Sequence, residues 1–218
     1  NKTTNPQAGV VIGFASDSII GAPYEPAIDL ADCVTSGYGY PTGYIFEILR
    51  GRGLVYDANA MNFPGLSTKT PGVFVAYAGC EPKNVNECVD VILESIARLQ
   101  GTPADVNADW FNRSRSLITT GDAIQNETPA AQAMLAALDE LYGLGYNYHD
   151  HFADRINAVT IDQVRNLAAS RLTHCVVTIS TPEPDKVTTK PGTRTYASFP
   201  KVDLTPRGVQ HDTGGAAK

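Results

Sequence analysis

At 218 residues and 43% hydrophobic content, the chain is long and apolar enough to bury a sizeable core in one large domain or two small ones. Its formal net charge of -6, with a pI near 5.1, argues against nucleic acid or an anionic membrane as partner, because neither is drawn to a net acidic surface. The longest apolar runs, such as VVIGFA and VVTI, are too short to span a bilayer.

The chain opens at Asn1 without an initiator methionine and with no charged-then-apolar leader, in the polar stretch NKTTNPQ. Residues 1–7 therefore read as a linker, and the whole as a piece of something longer or a processed product. The compartment stays open. Residues 8–16, AGVVIGFAS, are short and partly β-branched, which predicts a buried strand. From Ala27, the residues Ile28, Leu30, Ala31 and Val34 recur at helical spacing until Gly37. Thr42 is placed to cap a second helix with Ile45, Phe46 and Leu49 on its apolar face, ended by Gly51 and Gly53.

A strand follows over 54–63, closed by Pro64 and Gly65, and another over 73–79. Two strands joined by a short loop imply an antiparallel pair. Asn84 and Glu87 resemble a capping box ahead of Val85, Cys88, Val89, Ile92, Ile96 and Leu99, which share one helical face. Helical signals then dominate to Leu172. Thr102–Pro103 and Thr128–Pro129 each read as an N-cap with proline at the first helical position. The first precedes Val106, Trp110, Leu117 and Ile118, the second Met134, Leu135, Leu138 and Leu141. A short helix is expected from His149 to Asn157. Thr160 with Gln163 makes a capping box, and Val159 with Val164 a hydrophobic staple, for one more helix.

The last predicted strand is HCVVTIST, residues 174–181, and from residue 183 to 218 the chain reads as a polar tail that could pack back on the domain or a neighbour. The domain thus spans 8–182. Its order of β, α, α, β, β, several helices, then β does not alternate as a doubly wound parallel sheet does. It predicts an α+β fold of two layers, a mostly antiparallel sheet with helices packed on one face.

The four cysteines, Cys33, Cys80, Cys88 and Cys175, form no C-x-x-C pair and read as buried thiols rather than a disulfide framework. His149 and His151 are the only close histidine pair, but residues two apart on a helix do not share a face and no third ligand is evident. His174 reads as structural. Neither H-E-x-x-H nor H-x-x-E-H occurs, nor a G-x-S-x-G elbow, and the glycines of GYGYPTG do not match a dinucleotide fingerprint. Tyr38, Tyr40 and Tyr44 of that stretch read as packing residues.

The stretch 37–56, GYGYPTGYIFEILRGRGLVY, concentrates the remaining functional groups. Arg50 and Arg52 sit where a helix ends, and Tyr56 follows on a strand. They can be a pair of dipole-complementing arginines and a surface tyrosine. That plainer reading is the one spacing alone favours; the sharper one makes them donors aimed at the carbonyl groups of a bound peptide.

Four segments, NPQAGVVIGF, LRGRGLVYDANA, PGVFVAYAGCEPKNVNE and INAVTIDQVRNLAASRL, together resemble the C-terminal, zinc-free half of the M16 (pitrilysin and mitochondrial processing peptidase) metallopeptidases, the inverzincins. In order and spacing they cover roughly residues 5–182. The resemblance implies a LuxS/MPP-like α+β domain without metal of its own. It also implies a partner: a homologous half, in the same polypeptide or a separate subunit, that carries zinc on an H-x-x-E-H helix and encloses a peptide chamber with this one. In that family the zinc-free half contributes an arginine and a tyrosine to the chamber. Tyr56 falls on the tyrosine of the family's R-x-x-x-G-L-x-Y pattern. The arginine position falls on Leu49, so Arg50 is the nearest candidate and Arg52 the alternative. Alone, such a chain would hydrolyse nothing; a scaffold domain of the same fold without proteolytic role is the second reading.

Overall fold

The computed structural model describes residues 5–20, 26–67, 69–101 and 108–188. Among the described residues four strands form one antiparallel sheet: β1 (Ala8–Ser16), β2 (Val55–Phe63), β3 (Gly72–Cys80) and β4 (Cys175–Ser180), in the order β2-β3-β1-β4. Strict alternation along β1 puts Val10, Ile12 and Phe14 on the buried face, where they meet Ala78, Ala76 and Phe74 across the β1–β3 register. The rings of Phe14 and Phe74 pack edge-on, 6.4 Å apart. The other face carries Val11, Met61, Phe63, Val73 and Val176, all exposed. One face is therefore dry and the other open, as antiparallel sheets permit.

Helices cover the dry face. The helices α1 (Ala27–Ser36), α2 (Tyr44–Gly51), α3 (Val85–Arg98) and α7 (Ile161–Arg171) contact the sheet directly, and α4 (Ala108–Gln125) packs on α1. Two further helices, α5 (Pro129–Leu141) and α6 (Phe152–Ala158), lie farther out, linked by a 3-10 turn at Tyr148–His151. This is the two-layer α+β arrangement expected from the order of elements. Among the described residues no helix is long and apolar enough to cross a membrane.

Local signals act where backbone donors need partners. Thr160 and Gln163 form the full capping box of α7, and Thr128 accepts from the Ala131 amide at the start of α5. Two expected caps are absent for clear reasons. Gly43, not Thr42, is the N-cap of α2, and the Thr42 hydroxyl donates instead to the Glu47 carboxylate at 3.1 Å. Asn84 makes no cap on α3, which continues from a 3-10 turn at Pro82–Asn84; its side-chain amide donates to the Leu54 carbonyl at 3.1 Å, tying that turn to the approach to β2. The expected cap at Thr102–Pro103 lies outside the described residues.

Burial corrects three side-chain expectations. Cys33, Cys80 and Cys88 are buried, but Cys175, at the start of the edge strand β4, is exposed. His174 is exposed as well and bonds only locally, its Nδ1 3.0 Å from the Thr173 hydroxyl. The apolar face expected on α5 is largely unburied: Met134 is 64% and Leu141 76% exposed, and the one buried residue of this helix is Asp139. The tail begins by folding back, since the Asn86 side chain of α3 donates to the Lys186 carbonyl at 3.1 Å and accepts from the Thr188 amide at 2.9 Å. The rest of the tail lies outside the described residues.

Candidate functional site

The stretch between α1 and β2 is set by its glycines. Gly37 ends α1 in the left-handed region at φ 78°, and Gly43 opens α2 at φ 94°. At Gly43 a Cβ would lie 2.6 Å from the backbone nitrogens of Gly37 and Ser36, so the two chain segments touch where only glycine fits. Tyr44 then buries against Trp110, ring centroids 5.1 Å apart, and Ile45, Ile48 and Leu49 enter the core. Tyr40 is 38% exposed, with its hydroxyl end over Gly121 of α4, and Tyr38 is half-buried. Anchored in this way, α2 delivers Arg50 at its C-terminal end, where a cation complements the helix dipole.

Arg50 and Tyr56 come together. The Arg50 Nη1 donates to the Tyr56 carbonyl at 3.1 Å and reaches the Val55 carbonyl at 3.4 Å. Its guanidinium carbon lies 5.7 Å from the Tyr56 ring centre and 6.0 Å from that of Phe46. Tyr56 itself is 82% exposed. Its position follows from a β-bulge: Val55 pairs with Cys80 and Asp57 with the adjacent Gly79, so two residues of β2 face one step of β3. Burial shows the same break, with Val55 and Ala58 buried and Tyr56 and Asp57 between them both exposed.

Arg52 goes elsewhere. Its Nη1 lies 3.3 Å from Glu87 Oε1 on α3, an ion pair that tethers the end of α2 to the neighbouring helix. Of the two arginines, geometry joins only Arg50 to Tyr56.

The site also contains a pair not anticipated from the sequence. The Tyr77 hydroxyl donates to Asp57 Oδ2 at 2.5 Å, and this bond to the carboxylate, with some burial, raises the Tyr77 pKa. The two residues are diagonal neighbours on β2 and β3, within reach of long side chains. The alternation of 73–79 could have placed Tyr77 on the open face, but the bulge that brings Asp57 to it has no local sequence signature.

The histidine pair separates in space. His149 Nε2 lies 2.7 Å from Asp122 Oδ1 on α4 and its ring stacks on Phe152, whereas His151 is solvent-exposed and 3.8 Å from Asp154. Among the described residues no group of three His, Cys, Asp or Glu side chains is arranged to hold a metal ion, so the residues present do not fit a zinc site. What the Arg50–Tyr56 corner offers is hydrogen-bond donation: a phenolic O–H and the guanidinium N–H groups beyond Nη1, on an exposed rim.

Comparison with known proteins fits this picture. A family model described as the peptidase M16 inactive domain matches residues 1–117. No curated protein matches. Among solved structures, the peptidase M16 inactive domain from Pseudomonas fluorescens is similar at 14% identity and TM-score 0.69, over 83% of this chain and 42% of that one. The inactive peptidase domain of a protein assigned as a zinc protease from Bordetella parapertussis is similar at 15% identity and TM-score 0.66, over 82% of this chain and 94% of that one. A chain of complex III2 from Candida albicans is similar at 16% identity and TM-score 0.68, over 86% of this chain and 45% of that one. The chain spans less than half of the Pseudomonas and Candida chains it resembles.

Proposed function

Because the chain belongs to the peptidase M16 inactive-domain family, we propose that it is the substrate-binding, non-catalytic half of a zinc metallopeptidase, closing a peptide chamber against a homologous zinc-bearing half. The observation that carries this reading is the joint presentation of Arg50 and Tyr56 on the bulged, exposed start of β2. A tyrosine displayed at 82% exposure beside a half-committed guanidinium has little packing role.

The hydrolytic step belongs to the partner half in this division of labour. The residues of this chain hold the peptide. The Tyr56 hydroxyl donates to a peptide carbonyl oxygen, and Arg50 donates to a neighbouring carbonyl from the nitrogens not bonded to Tyr56 and Val55. Fixed donors of this kind strengthen as negative charge grows on the oxygen they face. Exposed Ile124 at the C-terminal end of α4, Met134 and Leu141 on α5, and Tyr146 in the loop after α5 are apolar surface that favours pairing with a further domain.

The test is reconstitution. The chain is combined with its H-x-x-E-H-bearing partner half, from the same polypeptide or a separate subunit, and peptide turnover is compared between wild type and Tyr56→Phe. The expected result is a loss of kcat of about 10²-fold or more, the scale for one oxyanion-directed donor. Unchanged turnover removes the role given to the hydroxyl. The likeness to a chain of complex III2 favours a second reading, a scaffold domain without proteolytic role. Retained assembly with no peptide hydrolysis by the wild-type pair selects it.

A further inference from the structure

We propose that the cavity enclosed by α5, α6 and the N-terminal end of α1 is a binding site for an organic cation, taking the ammonium or guanidinium end of a single basic group. The cavity measures about 250 Å³ and draws its walls from α1, β2, α5, the 3-10 turn and α6. That is below the ~300–1,000 Å³ usual for small-molecule pockets, which suits one side chain or one small amine.

Its chemistry calls for positive charge. Asp29 and Asp139 both line it, and both are only 6% exposed. Asp139 Oδ2 is buried with no hydrogen-bond partner, so its desolvation goes uncompensated. Asp139 also stands in the last turn of α5, where the helix's own carbonyl groups concentrate negative charge and a cation is the favoured neighbour. That turn has no basic residue. Burial raises the Asp139 pKa, against the pull of His149 and Arg155.

Among the described residues, the two cations at the cavity, Arg155 and His149, pull on the Asp139 carboxyl electrostatically, but neither side chain bonds its Oδ2. The Arg155 Nη1 donates to the Tyr148 carbonyl at 2.7 Å, and its guanidinium lies 3.8 Å from the Tyr148 ring centre, so it is held flat against the wall. His149 is engaged by Asp122. Around Tyr38, another wall residue, burial raises the phenol pKa, and of the nearby carboxylates Asp29 adds most to it. Tyr38, Tyr142 and Phe152 also line the cavity, and aromatic side chains are compatible with a cation because a ring quadrupole attracts positive charge. Asn62 and Pro64 place the cavity at the far end of β2 from Tyr56, so this site stands or falls independently of the peptide-holding role.

The experiment titrates the full chain with n-butylammonium chloride, with methylguanidinium chloride and with the capped peptide acetyl-Gly-Arg-Gly-amide, reading binding by calorimetry and thermal unfolding. Neutral n-butanol is the control. Saturable binding of a cation, absent for n-butanol, is expected, with affinity about tenfold or more weaker in Asp139→Asn, the scale of one lost charge-assisted contact. Leu138→Trp, which fills the cavity without touching its charge, should abolish binding as well, and serves if Asp139→Asn does not fold. Tighter binding of the peptide assigns the site to a basic side chain; binding of the free cations alone assigns it to a small amine. No saturable binding up to about 50 mM, or wild-type affinity in both variants, overturns the proposal.

Discussion

Arg50 holds Tyr56 by its backbone, with Nη1 donating to the Tyr56 carbonyl at 3.1 Å while the guanidinium lies 5.7 Å from the same residue's ring. One side chain therefore fixes both the main chain and the ring position of the exposed tyrosine. Arg52, two residues on, is spent on Glu87. The two arginines should part company on mutation. Arg50→Ala is expected to lower peptide turnover of the reconstituted pair by about tenfold or more, since loosened positioning alone can carry that cost. Arg52→Ala should leave turnover unchanged and cost about 0–1 kcal/mol, as exposed ion pairs do. Steady-state kinetics of both variants with denaturant titrations of the isolated chain would check this. Equal kinetic losses would mean that proximity to Tyr56 is not what matters.

The glycine contact beneath this corner makes a second prediction. Gly43→Ala must place a Cβ 2.6 Å from two backbone nitrogens at a φ of 94°, where neither segment can give way without moving α1 or α2. Strain and overpacking together are expected to destabilise by about 2–5 kcal/mol. Gly51→Ala is the paired control. At the end of α2 its Cβ meets nothing within 4 Å, and a stabilisation of up to about 1 kcal/mol is expected there. Urea midpoints of the two variants should move in opposite directions.

Much of this was legible in the sequence, and what was not has physical causes. Strand and helix periods depend on burial of nearest neighbours, so β1 and the capped starts of α5 and α7 could be read from spacing. The pattern of their segment offered Arg50, Arg52 and Tyr56 as candidates, but not which arginine stands beside the tyrosine. The bulge at Val55–Asp57 and the Tyr77–Asp57 bond depend on register between strands, which one strand's sequence does not contain. The exposure of Met134 and Leu141 was illegible for another reason: their helical spacing shows that a face exists, not whether this chain covers it.

Thiol exposure is directly measurable. All four cysteines are thiols, and only Cys175 is exposed. Ellman's reagent should titrate one thiol rapidly in the native chain and all four after unfolding, and Cys175→Ser should remove the fast phase. Rapid reaction of more than one native thiol would contradict the burial of Cys33, Cys80 and Cys88.

Asp32 sets a pH dependence whose sign can be worked out. It is 3% exposed on α1, and burial, opposed by hydrogen bonds from Ser36 and the Asn62 amide and aided by Asp29, pushes its pKa from an ordinary 3.8 up to about 7. The bonding suits a neutral carboxyl. Ser36 Oγ lies 2.5 Å from Asp32 Oδ1 and 2.9 Å from the Ala60 carbonyl, so a protonated Asp32 can donate to the serine while the serine donates to Ala60. The Asn62 amide donates to Asp32 Oδ2 at 2.9 Å. Because the folded-state pKa is raised, the native chain holds this proton where the unfolded chain has already lost it. The associated stability is fully present below about pH 4 and is lost as pH rises towards 7, by an amount on the order of 4 kcal/mol. Asp32→Asn has no proton to lose. The difference in unfolding free energy between wild type and Asp32→Asn, measured by urea titration at about pH 5 and pH 8, should therefore shift in favour of the variant at the higher pH. A difference that does not change with pH would show that Asp32 titrates alike in the folded and unfolded chains.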